Sequence, residues 1–272
     1  MNLHYYLCLA CTVIGIAAFQ SPAFAEVSVG NATVTPNFTN TAIDLTSEAA
    51  ALGGGGDWIR WLEPDVDGTV ASPSNYDHSS TGSALISTFA VPNGTAVQYR
   101  NHPLDTDDVT FSWTNGTVYS NSTSAGISNT GYVYNSSHSL DDKFVFTVSG
   151  LGSSGTLKVW VANYASAMTV SVAGYTSANE TLGVGTGSWD NIAQTSTVAV
   201  GAFYFNYTNA DLGDYLEVTL SMTGANSNGF SNVGLHAASV ATTVPEPGTW
   251  ILLPAGIFMM LIFGRRRFDR VG

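Results

Sequence analysis

From Lys143 onward the sequence alternates between apolar and polar residues with a period of two, and this pattern limits the chain to one class of structure. Phe144, Phe146 and Val148 fall on one face and Val145, Thr147 and Ser149 on the other, as in a half-buried strand. The pattern recurs at 157–162, 168–172, 198–207, 216–222 and 233–240, between clusters of Gly, Asn and Ser suited to turns. Upstream, residues 84–91, 109–113 and 132–134 predict further strands separated by longer loops. All prolines of the segment 26–243 precede residue 104, which concentrates loops in its first half. No 3.6-residue pattern of helical length appears in that segment. The expectation is an all-β body, an antiparallel β-sandwich with jelly-roll-like topology, with a barrel as the less favoured closure. A solenoid is disfavoured because no fixed-period repeat is found.

The two ends have a different character. Residues 9–19 are an apolar run followed by Ser21-Pro22-Ala23-Phe24-Ala25, with Ala23 and Ala25 where a signal peptidase reads small residues. This predicts a signal peptide over 1–25 and a mature start at Glu26, although Met1–Leu7 carries no Lys or Arg. Cys8 and Cys11 lie inside that peptide, so the mature chain is expected to lack cysteine. Disulfides, thiolate zinc and a Cys nucleophile are then excluded, and stability must come from core burial. At the other end Trp250–Gly264 is an uncharged apolar stretch of 15 residues followed at once by Arg265, Arg266 and Arg267. At 1.5 Å per residue it spans roughly 22 Å as a helix, so it crosses the ~30 Å hydrocarbon layer only with help from its flanks and snorkelling arginines. The expectation is a single transmembrane helix at about 249–264 with an Arg-rich cytoplasmic tail at 265–272.

Just before that stretch stands Val244-Pro245-Glu246-Pro247-Gly248. The order Pro245-Glu246-Pro247, apolar segment, arginine cluster closely resembles the PEP-CTERM sorting signal of Gram-negative bacterial proteins, over the segment 244–272. The resemblance implies an exosortase substrate: Pro245, Glu246 and Pro247 as the recognised site, Arg265, Arg266 and Arg267 as the retention signal, and signal peptidase and exosortase as processing partners. The inner membrane would hold the chain through its C-terminal helix until cleavage, and the body would then pass to the cell envelope or the exterior. The prolines keep the site extended, as a protease-like cleft requires. The body 26–243 also resembles an extracellular β-sandwich module of bacterial secreted proteins. That likeness rests on Asp44-Leu45-Thr46, Asp57-Trp58-Ile59-Arg60-Trp61, Phe111–Gly116, Leu157–Trp160 and Val233–Ala237, and bears on fold and location only.

Charge narrows the partners. Residues 26–243 carry 18 Asp and Glu against 4 Lys and Arg, a net charge of −14, which repels phosphate backbones and anionic lipid and argues against nucleic acid. Outward aromatics are the usual sugar platforms, because a ring face stacks on the apolar face of a pyranose. Alternation over 157–162 turns Trp160 outward beside Lys158, making it a candidate glycan-binding residue unless a loop or second sheet covers it. Trp58 is the second candidate; Trp58 and Arg60 share one face of their segment and Ile59 and Trp61 the other, so at least one indole is expected to be buried. Asp65 and Asp67, and Asp105, Asp107 and Asp108, have short spacings that suit calcium, the one cofactor these residues suggest. Neither group completes a ligand loop. His78, His102, His138 and His236 stand in no HExxH and beside no nucleophile elbow, so no catalytic residue is assigned. The leading expectation is a non-enzymatic envelope or matrix protein associated with exopolysaccharide. The alternative is a carbohydrate-binding module, and a third class, a glycoside hydrolase, would need two carboxylates in one cleft.

Overall fold

The computed structural model describes residues 26–38, 41–50, 55–61, 76–79, 84–92, 97–100, 109–114, 116–117, 131–135, 137–140, 142–211, 213–227 and 229–243. The predicted signal peptide, the expected sorting motif at Pro245, Glu246 and Pro247, the predicted span, the arginine cluster and Asp65, Asp67, Asp105, Asp107 and Asp108 lie outside the described residues. Among the described residues no helix is long and apolar enough to cross a membrane.

The alternating segments are strands. In chain order they are β1 (Ser28–Val29), β2 (Thr33–Thr35), β3 (Ala42–Asp44), helix α1 (Leu45–Ala50), β4 (Gly56–Trp61), β5 (Tyr76–Ser79), β6 (Val97–Arg100), β7 (Thr110–Ser112) and β8 (Gly116–Thr117). There follow β9 (Tyr132–Asn135), β10 (Lys143–Val148), β11 (Ser154–Tyr164), β12 (Ser166–Tyr175), β13 (Thr181–Asp190), β14 (Ala199–Thr208), β15 (Tyr215–Ala225) and β16 (Asn232–Thr242). A 10-stranded sheet runs β1-β14-β11-β16-β4-β5-β8, with β2 beside β14, and with β9 beside both β16 and β6. A 4-stranded sheet runs β10-β15-β12-β13. Every pairing in both is antiparallel; only the small pair β3 and β7 is parallel.

The core lies between the two large sheets. Phe144, Phe146, Met168, Val170, Leu216, Val218 and Leu220 face Leu157, Val159, Phe203, Phe205, Leu235 and Val240 in one buried cluster. Burying each such side chain contributes about 1.5–3 kcal/mol, which a cysteine-free body needs. The chain moves from β11 to β12, and so between sheets, through Ala165 alone, which takes a φ of 49°. Side chains satisfy this corner: Ser231 Oγ donates to the Ala165 carbonyl at 2.6 Å and Ser166 Oγ to Asn163 Oδ1 at 2.6 Å.

The structure adds short strands ahead of residue 104 that the sequence did not signal, and three further differences have a local cause. Residues 84–91 do not form a continuous strand but touch β10 at two isolated bridges, Ile86 with Val148 and Ala90 with Val145. The reason is local: the Leu85 and Ile86 amides donate to the buried Asp57 carboxylate, and Ser87 Oγ takes the Thr147 amide at 2.8 Å. Strand β13 was not signalled, because its inward positions Gly185 and Gly187 lack apolar side chains. A Cβ at Gly185 would collide with the Gly30 carbonyl, and one at Gly187 with Ala32 and Phe203, so glycine here admits the segment that links β1 to β2. Helix α1 has only 6 residues, too short for a periodic pattern; Asp44 caps it, accepting from Thr46 N at 3.1 Å and Ser47 Oγ at 2.7 Å.

Candidate functional site

Trp160 does point away from the sandwich interior, as alternation requires, yet it is only 1% exposed. The outer face of the 10-stranded sheet carries a second layer: Ile43 of β3, Leu45 and Ala49 of α1, and Val109, Phe111 and Trp113 around β7. Phe111 meets Trp160 edge-on with ring centroids 6.0 Å apart, and Trp113 lies 5.4 Å from Trp58, which is fully buried. Both indole faces are used in internal packing. Trp160 and Trp58 are therefore corrected from sugar platforms to core residues; period two tells which way a side chain points, not what lies over it. Lys158, beside Trp160, pairs with Glu48 of α1 and sits 5.3 Å from the Tyr204 ring.

Polar groups are sealed into this second layer. The extra residue of a bulge in β16 opposite Trp160 and Val161 is His236, whose Nδ1 donates to the Gly131 carbonyl at 3.1 Å. Full burial, with the Arg60 charge nearby, pushes its pKa down to about 3, so the ring is neutral and shut away from any substrate. Arg60 is itself buried, its guanidinium 5.6 Å from the Phe111 ring and 5.7 Å from that of Trp113. Asp57, 3% exposed, accepts from the amides of Trp58, Leu85 and Ile86 at 2.9, 2.7 and 3.0 Å. Burial pushes its pKa up against those three donors. Asp142 accepts from Ser137 Oγ at 2.5 Å and Ser139 N at 3.0 Å and so holds a turn. Among the described residues no group of three or more His, Cys, Asp or Glu is placed to hold a metal.

Beyond Trp160 the outer face continues through Ala162 and Tyr164 of β11. Here the chain forms a cleft of about 300 Å³ lined by Tyr132, Tyr134, His138, Tyr164, Ser196, Val198, Phe230 and Asn232. Tyr132 and Val198, 1% and 4% exposed, form a buried floor with Ala162. Register places Tyr164 opposite Asn232, and Tyr134 opposite both Gly234 and Gln98. A Cβ at Gly234 would strike the Tyr132 ring, so glycine keeps that ring seated. Tyr134 Oη donates to Gln98 Oε1 at 2.6 Å and Tyr164 Oη to the Thr195 carbonyl at 2.9 Å, which fixes both phenols. His138, at φ 56°, donates from Nδ1 to the Ser231 carbonyl at 2.8 Å. Its ring meets Phe230 edge-on at 6.4 Å, and Phe230 is 68% exposed.

None of these residues was assigned to a site from sequence. The alternation of Tyr132 and Tyr134 around the inward Val133 was a usable signal for an outward aromatic pair. Tyr164 and Phe230 carry no such signal, because they reach the cleft through the fold.

No family model and no curated protein matches the chain. Among solved structures, it is similar to the arabinose-bound α-L-arabinofuranosidase MgGH51 at 12% identity and a TM-score of 0.34, over 80% of this chain and 32% of that one. The chain thus spans about a third of that enzyme's length. It is similar to TmCBM61 in complex with β-1,4-galactotriose at 8% identity and a TM-score of 0.30, over 57% of this chain and 87% of that one. A third likeness is to the isomalto-dextranase of Arthrobacter globiformis T6 complexed with panose, at 14% identity and a TM-score of 0.27, over 79% of this chain and 36% of that one. At TM-scores this low the likenesses carry no argument about site or ligand.

Proposed function

We propose that the chain is an exported, non-enzymatic constituent of a Gram-negative cell envelope or extracellular matrix, associated with exopolysaccharide. Signal peptidase removes 1–25, the segment at 249–264 holds the chain in the inner membrane, and exosortase acts at Pro245, Glu246 and Pro247. The body then serves as an acidic, jelly-roll-like sandwich without a cofactor. The strand order β4-β16-β11-β14 against β10-β15-β12-β13 supports that topology, since consecutive strands from β9 to β16 pass repeatedly between the sheets.

The observation that carries the reading is the order of the tail in sequence: Pro-Glu-Pro, an uncharged apolar stretch and three adjacent arginines. The position of the motif directly after β16 supports it. Thr243, the last of the described residues, is tied to the sheet by its amide donating to the Ser154 carbonyl at 2.9 Å, and Pro245 follows two positions later in the sequence. Mass spectrometry of the C-terminus of the protein recovered from exosortase-competent cells tests it. Cleavage near Glu246 is expected, and recovery of chains still ending in Arg265–Gly272 would overturn the processing claim.

A further inference from the structure

We propose that the aromatic cleft at the ends of β9, β11 and β16 binds a short stretch of an uncharged sugar chain, with Phe230 and Tyr164 as its contact surfaces. This rests on the reading of an exported body working among polysaccharide, and it adds the site and the chemical class of ligand.

Phe230 carries the first part of the argument. Among the described residues it is the most exposed large hydrophobic, at 68% against 53% for Leu140 and 52% for Val184. Leaving a Phe in water forgoes about 1.5–3 kcal/mol of burial. Its surroundings nevertheless hold it in place. Gly229 takes a φ of 78°, open only to glycine without strain, and Ser231 is fixed on both sides by His138 Nδ1 on its carbonyl and by its own hydroxyl on Ala165. An exposed ring on a pinned turn at the mouth of a cleft is pre-organised for a flat apolar surface, such as the C–H face of a pyranose.

The polar groups select the rest of the ligand. Tyr164 Oη spends its proton on Thr195 and keeps acceptor capacity. His138 donates through Nδ1, which leaves Nε2 as the acceptor of the neutral ring. Asn232 Oδ1 is a buried acceptor with no hydrogen-bond partner among the described residues. These acceptors suit a ligand rich in O–H donors. Among the described residues no Lys or Arg lines the cleft, and the surrounding body carries 18 acids against 4 basic residues, so uronates, sulfated and phosphorylated glycans are repelled. The volume of about 300 Å³ lies at the small end of ligand pockets, which run from about 300 to 1,000 Å³, and so fits part of a chain.

The test is titration of the full chain, purified in detergent, with neutral gluco-, galacto- and manno-oligosaccharides and with polyuronate of equal length. The expected result is saturable binding of at least one neutral series and none of polyuronate. Phe230→Ala, at an unchanged melting temperature, and Tyr164→Ala should each weaken binding about tenfold or more. Absence of neutral-sugar binding, equal binding of polyuronate, or binding that survives the double variant would overturn the proposal. The C-terminal processing result is independent of all three outcomes, so failure of either claim is read separately.

Discussion

Asp57→Asn is the most demanding perturbation of this fold, because it changes one atom and leaves volume intact. The carboxylate holds the Trp58 amide on Oδ1 and the Leu85 and Ile86 amides on Oδ2, tying the 84–91 segment to β4. A carboxamide has one acceptor oxygen, so in either orientation its NH2 group faces at least one buried N–H. Losing a hydrogen bond to a charged group costs about 1.5–3 kcal/mol, and stranding a buried donor costs about 1–3 kcal/mol. Removing a buried charge returns part of this, since burial already opposes ionisation. The net expectation is about 2–4 kcal/mol, read from urea unfolding of wild type and variant at neutral pH. The acid limb gives a second readout. The folded-state pKa of Asp57 is raised above its ordinary 3.8, so the folded body binds the proton more tightly than the unfolded chain. Its contribution is then fully favourable below 3.8 and declines as pH rises through the raised value; the variant should lack this part of the pH dependence. Hydrogen exchange at Leu85 and Ile86 should accelerate in the variant. A loss under about 0.5 kcal/mol with unchanged exchange at both amides would refute the tether.

Other outcomes follow from the second layer and the β13 crossing. Trp160→Ala should cost about 3–5 kcal/mol in denaturant unfolding, as for a large core side chain, whereas a surface platform would cost within about 0.5 kcal/mol. Gly187→Val should lower stability by about 1–3 kcal/mol and expose residues 26–35 to limited proteolysis; an unchanged cleavage pattern would show that the β1–β2 segment does not cross there. Glu48→Gln, which unpairs Lys158 at a half-exposed site, should cost under about 1 kcal/mol, and the loss should shrink further in 1 M salt.

β10, β12 and β15 were legible because a sheet buried on one face writes its orientation into every second residue; β11, β14 and β16 kept enough of the pattern to be read although part of their outer face is covered as well. β13 was hidden because backbone from β1 and β2 fills the space that side chains usually fill. Strand β7 was expected within 109–113, but β3 was not, and neither was their parallel pairing, which joins Ala42–Asp44 to Thr110–Ser112; nothing local records a partner so far along the chain. The same limit produced the error at Trp160, since its cover comes from α1 and β7 rather than from its neighbours in sequence. The cleft was illegible in the same way. Its rings come from Tyr134, Tyr164 and Phe230 on different strands and turns, and only their convergence makes a site.

The position of β16 bears on how such a chain can be delivered. Its hydrogen bonds run to β11 on one side and to β4 and β9 on the other, so it joins two blocks of the larger sheet, β1-β14-β11 and β4-β5-β8. For a chain that crosses a membrane N-terminus first, both blocks emerge before the strand that unites them. The slot between Leu157–Tyr164 and Gly56–Trp61 stays open, with unpaired backbone N–H and C=O groups along both edges, until Asn232–Thr242 arrives. Folding is then a terminal event of transport, timed by the last segment out rather than the first. Any stop that loses residues before Thr242 releases two half-sheets in place of a shortened sandwich, and both would be prone to edge-to-edge association.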